Sequence, residues 1–402
     1  MTASEQLAQF AAGSKALPKL CREYKKESAT VHLKELVGGA LSFYAAAAVA
    51  KTGGVHIFVA EDRDAAAYLL NDFYNLLDEK QVYFFPSSYK RSVAYGAEDA
   101  QGVVQRTAAM NAVRGFTKGY LVVCTYPEAL AERVVDAATL QRDTIAVKLG
   151  DKISIAVLED ALADANFTRV DFVYEPGQYS VRGGIVDVFS YSESKPYRID
   201  FFGDEVDSIR RFNISSQLSA DKLDRVEIVP NLNAGEAPRV SFVQFAGSGA
   251  TCWFYDADYV LRRVNDLRRK VLADMEEPGQ IDRLLTSRNV LLRDMAGNSV
   301  VALRDNLPER PATVAVVFDT APQPKFNKNF EMLADDMIRN SLRGYATYIL
   351  SENKVQVERL ENIFHQIGRG QAVVRSLAVT LHEGFVDNDL KLCLYTDHQI
   401  FD

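Results

Sequence analysis

Residues 172–212, FVYEPGQYSVRGGIVDVFSYSESKPYRIDFFGDEVDSIRRF, carry the pattern that decides how this chain is built. Glu175-Pro176-Gly177 is a turn signal, and Gly183-Gly184 interrupts the run after Arg182 where backbone freedom is needed. Three short segments of period two follow. Ile185 to Phe189 is rich in β-branched residues, and Tyr197 to Phe201 places Tyr197, Ile199 and Phe201 on one side with Arg198 and Asp200 on the other. Glu205 to Phe212 comes after Gly203-Asp204, a hairpin-type dipeptide. These segments predict an antiparallel meander with one apolar and one charged face. Arg182, with Arg169 upstream and Phe189 downstream, makes a candidate protein-binding patch, because guanidinium groups and aromatic rings both bury well at interfaces.

RGGIVDVF, followed by PYRIDFFGDEVDSIRRFNISSQLS, resembles the second domain shared by bacterial transcription-repair coupling factors (Mfd) and the excision-repair protein UvrB, with the closer match on the Mfd side. The resemblance implies that this domain docks the repair protein UvrA. The basic positions of the UvrB version fall on Arg169 and Arg182, whereas Ser180 stands where a further arginine is found. The contact expected of the chain is therefore Arg169, Arg182 and Phe189.

Upstream, strand-like and helix-like segments alternate. Val31–Val37, Val55–Val59, Val82–Phe85 and Tyr120–Val123 read as strands, and Ala40–Lys51, Ala65–Leu77 and Asp99–Arg114 as helices. Such alternation predicts a parallel sheet covered on both faces. Gly38 to Ala45 falls at the strand-to-helix turn where a phosphate-binding loop would lie. Only Gly38 fits G-x-x-x-x-G-K-[ST]; Phe43, Tyr44 and Ala45 stand where the second glycine, the lysine and the hydroxyl belong. The loop is expected not to hydrolyse ATP, since it supplies neither a cation for the phosphates nor a side-chain ligand for magnesium. The resemblance agrees: coupling factors have a decayed loop here and use ATP and magnesium in a motor farther along. It also implies that Tyr89 and Tyr95 are ordinary loop residues, since 86–98 is too short for the DNA-probing hairpin of UvrB.

The expected organisation is a degenerate helicase-like parallel-sheet domain over 1–146, an inserted α+β domain over 147–230, a return segment completing the first domain over 231–312, and a small α/β domain over 313–402. Thr251–Tyr255 and Val300–Leu303 read as strands of the return segment, Tyr259–Met275 as a helix between them, and Trp253 as a core residue. In the last unit, helices are expected at Met332–Leu342 and Lys354–Ile367, and strands at Thr313–Phe318, Tyr345–Leu350, Ala372–Val374 and Leu390–Leu394. Its closing run, LHEGFVDNDLKLCLYTDHQIFD, resembles the end of the third domain of coupling factors.

The 402 residues are 48% hydrophobic and 25% charged, with a formal net charge of −8. That charge disfavours a dedicated nucleic-acid binder, although Arg262, Arg263, Arg268, Arg269 and Lys270 form a local basic stretch on a predicted helix. Four cysteines and five histidines are scattered without metal-ligand spacing, so no metal, cofactor or catalytic residue is expected. His382-Glu383 offers acid–base groups but no partner motif. No apolar run approaches the roughly 20 residues of a membrane span, and no export signal opens the chain, which points to the cytoplasm.

Three functions follow as expectations. The first is a UvrA-recruiting module of a coupling factor, reaching RNA polymerase and DNA through downstream domains, with its UvrA site masked by the factor's C-terminal domain. The second is an ATP-dependent repair enzyme of the UvrB kind. The third is a generic DNA-binding module.

Overall fold

The computed structural model describes residues 2–90, 98–233, 237–275 and 277–401. Seven parallel strands form the main sheet, in the order Val314–Val317, Thr30–Lys34, Ser299–Ala302, Thr251–Phe254, Gly54–Val59, Tyr120–Thr125 and Val82–Phe84. The central strands are mostly apolar and almost wholly buried on both faces, as helices on either side require. The two strands of the return segment insert between Thr30–Lys34 and Gly54–Val59, so residues far apart in sequence share one core. Trp253 lies in that core, stacked on Phe58, with its indole N–H donating to His56 Nδ1 at 3.1 Å.

The antiparallel sheet runs Ser219–Leu223, Glu205–Phe212, Tyr197–Phe202, Ile185–Val188, Gln178–Arg182 and Thr168–Arg169; only the last two strands pair in parallel. Its apolar side closes over helix Ile155–Asp164 and the paired strands Ile145–Lys148 and Arg225–Ile228, making a second core around Val186, Ile199 and Ile209. Tyr197 and Ile199 are buried there and Phe201 packs against them, while Arg198 and Asp200 occupy the other side.

Two expectations need correcting. The strand expected to open the last unit, observed at Val314–Val317, pairs instead with Thr30–Lys34 at the edge of the main sheet, so the last unit begins with strand Thr320–Pro322. Residues 372–374 are not a strand; the edge pairing with Ala346–Leu350 is made by Ser376–Leu377. That five-stranded sheet carries helices Phe330–Leu342 and Lys354–Gln366. Among the described residues, no helix is long and apolar enough to cross a membrane.

Candidate functional site

The charged side of the antiparallel sheet is organised by strand register. Ser180 pairs with Asp187, Asp187 with Arg198, and Arg198 with Arg210, which sets four polar side chains in a row across four strands. Asp187 is the hub, at 2% exposure. Arg198 holds it with Nε on Oδ1 at 2.7 Å and Nη2 on Oδ2 at 2.9 Å, and Arg182 Nη2 donates to Oδ2 at 2.5 Å. Arg210 pairs with Asp200 at 3.0 Å, which also accepts from Ser208. Two buried oxygens thus satisfy two guanidinium groups, the condition under which a buried carboxylate is tolerated.

The hub fixes the outer residues. Arg182, its side chain 37% exposed, is held against Asp187 on one side and lies 4.8 Å over the Phe172 ring on the other. Gly183, at φ +61°, turns the chain immediately after it. Arg169 is 61% exposed and pairs with Glu159 at 3.1 Å. Arg169, Asp171, Phe172 and Arg182 line one shallow depression, so both predicted arginines meet there.

Phe189 does not. It is 5% exposed, its N–H donating to the Gln178 carbonyl and its carbonyl accepting from Gly177, so its ring is unavailable to a partner. The aromatic group at the depression is Phe172, 48% exposed. Sequence reasoning missed it because it sits outside the periodic strands. Ser180 is 1% exposed and its hydroxyl has no hydrogen-bond partner in the structure, so this position contributes nothing to the surface.

One side of the 38–45 turn is covered by the last unit. A Cβ on Gly39 would stand 2.1 Å from the Glu383 carbonyl oxygen, and one on Gly38, at φ +55°, 2.9 Å from that of Gly384. Phe43, Tyr44 and Ala45 are buried in the helix that follows. Tyr44 donates its hydroxyl to Asp387 and packs 4.5 Å from Phe318; Phe43 lies 5.3 Å from Phe385. On the Cβ side of Gly38 and Gly39 the space is therefore filled by the 383–384 backbone.

Asp72 reinforces this junction. It accepts from Ser42 Oγ at 2.6 Å and from the His382 backbone N–H at 2.7 Å, while the His382 ring stacks on Tyr68 at 3.6 Å. Burial raises the Asp72 pKa from 3.8 to about 6. Between these values the folded chain holds a proton that the unfolded chain has released, so the junction loses stability as pH rises through that window. Burial raises Asp387 in the same direction. Asp72→Asn is expected to flatten the fall in urea midpoint between pH 4 and 6.5; an unchanged slope would assign the pH dependence elsewhere.

The remaining candidates are engaged within the fold. In the basic stretch Arg262 pairs with Asp258, Arg263 with Glu128, Arg268 with Asp282 and Arg269 with Asp266, so its arginines are spent on carboxylates. The His382 backbone serves the junction just described, and burial pushes the ring below its usual pKa. All four cysteines are buried, which raises their pKa, in Cys252 to about 12. Tyr89 forms an isolated bridge with Glu98; Tyr95 lies outside the described residues.

With this geometry in view, the comparisons with known proteins are specific. Residues 145–233 match the family model described as the UvrB interaction domain. The chain is similar to transcription-repair-coupling factors. It is 27% identical to those of Bacillus subtilis and Escherichia coli over 199 residues, 49% of this chain and 17% of each relative. The factor of Haemophilus influenzae is 35% identical over 101 residues, 25% of this chain and 9% of the relative. The aligned stretches thus span less than a fifth of these relatives, consistent with the N-terminal region of such a factor. The UvrB interaction-type domain coincides with the antiparallel sheet, and the Arg169–Phe172–Arg182 depression lies within it.

Proposed function

We propose that this chain is the repair-recruiting N-terminal part of a transcription-repair coupling factor, binding UvrA through Arg169, Phe172 and Arg182 and hydrolysing no ATP itself. The observation that carries the reading is a rigid arginine–aromatic pair, exposed on one face of a domain matching the UvrB interaction family. Preorganisation suits recruitment: Asp187 fixes Arg182 before a partner arrives, which limits the rotamer entropy lost on binding. The 38–45 turn is read as a decayed phosphate loop, since it keeps the strand-to-helix position while Glu383 and Gly384 cover one side of it. RNA polymerase, DNA and the ATP-driven motor belong, in this reading, to parts of the factor downstream. The factor's C-terminal domain covers the depression until the motor acts.

Calorimetric titration with UvrA tests the assignment. Arg182→Ala and Phe172→Ala are each expected to weaken binding about tenfold or more, equivalent to about 1.4–2 kcal/mol. Wild-type affinity in both variants would remove the depression from the contact. Adding the C-terminal domain in trans is expected to lower the apparent affinity for UvrA by competition.

A further inference from the structure

The carboxyl ends of the central strands border an open cavity of about 230 Å³ beside the 38–45 turn, with His382 and Glu383 of the last unit also in its lining. Clefts at this end of an open parallel sheet are where such folds bind ligands. Phe58 and Trp253, stacked with centroids 4.9 Å apart, contribute to its floor, and Tyr255 and the Tyr68–His382 stack to its walls. Glu61 and Glu383 are exposed at its rim. No lysine or arginine lines it among the described residues; the nearby Arg304 stands 5.6 Å over the Tyr255 ring and 3.7 Å from Asp256.

We propose that this cavity is a binding site for a small planar aromatic cation and rejects nucleotide phosphates. Aromatic walls favour a flat ring system and attract positive charge through their ring faces. Among the described residues the charged side chains in the lining are carboxylates, Asp72 with both oxygens already engaged by Ser42 and His382. A triphosphate entering here would meet like charge, with the nearby Arg304 already set against Tyr255 and Asp256. The cavity thus offers aromatic surface beside carboxylates, where a phosphate site would need cations.

The full chain titrated with the tricyclic cation proflavine, followed by its fluorescence, tests this. Saturable one-to-one binding is expected, undisturbed by millimolar magnesium–ATP. Ala65→Trp and Leu41→Trp, both partly exposed lining positions, fill the cavity and are expected to weaken binding about tenfold or more. The Glu61→Gln/Glu383→Gln pair, at exposed positions that leave the fold intact, is expected to weaken it about threefold to tenfold. The proposal is overturned by any of four results: no saturable binding, displacement by magnesium–ATP, wild-type affinity in a filled variant that remains folded, or wild-type affinity in the glutamine pair.

Discussion

Asp187→Leu is expected to lower the free energy of unfolding by about 3–5 kcal/mol, because it leaves two guanidinium groups facing a buried site without their common carboxylate. Arg198 bears most of the loss: its side chain is 13% exposed, and its Nε and one Nη both depend on Asp187, although Gln217 and the Phe212 ring remain beside it. Arg182, 37% exposed, can turn toward water and loses less. Equilibrium urea unfolding gives the number. Asp187→Leu combined with Arg198→Leu should recover much of the stability, since an apolar pair replacing a buried ion pair is often nearly neutral. A loss below about 1 kcal/mol for the single variant would mean that both arginines escape to solvent. The same variant releases Arg182 from its fixed position over Phe172, so it should also weaken UvrA binding in proportion to the lost preorganisation.

The hub was within reach of the sequence and the exposed aromatic, Phe172, was not. Period two alone puts Arg198 and Asp200 on one side of their strand and Tyr197, Ile199 and Phe201 on the other, and the sheet has that division. Asp187 and Ser180 follow by the same parity once the hairpins are placed. The misreading of Phe189 has a physical origin: a period-two pattern separates the faces of a sheet but does not say which part of the polar face is covered. Phe189 is bonded back to the Gly177–Gln178 turn and disappears beneath it, while Phe172, in a loop with no period, emerges. The unit boundary failed for a related reason. Pro308 and Pro311 precede Val314–Val317 and Pro322 and Pro324 follow it, so breakers flank the strand on both sides and only pairing with Thr30–Lys34 assigns it. The cover on one side of the 38–45 turn depends on backbone from residues 383 and 384, contact across more than 300 positions that no local pattern records.

Placing a lysine at position 44, where the phosphate-loop motif has one, by Tyr44→Lys is expected to yield no ATP binding and to destabilise the chain. The nucleotide argument rests on the turn's backbone: a Cβ on Gly39 would stand 2.1 Å from the Glu383 carbonyl oxygen, and the Ala40, Leu41 and Phe43 N–H groups donate to the carbonyls of Val37, Gly38 and Gly39, so these donors are already used within the chain. The stability argument rests on what Tyr44 now does. Its ring is 1% exposed and packs on Phe318 and Phe43, and its hydroxyl donates to the buried Asp387. Tyr44→Ala, which removes ring and hydroxyl together, should cost about 3–5 kcal/mol. Tyr44→Phe isolates the hydroxyl and should cost about 1–3 kcal/mol for the donor lost to Asp387, which keeps the Leu390 N–H on its other oxygen. Lysine lies between these limits, since its ammonium can meet Asp387 while its stem fills little of the ring's space. Urea unfolding of the three variants, with calorimetric titration of magnesium–ATP into each, separates the two claims. ATP binding by Tyr44→Lys would show that the 383–384 segment lifts away from the turn, and the position of the last unit would then be one of two that the chain can adopt.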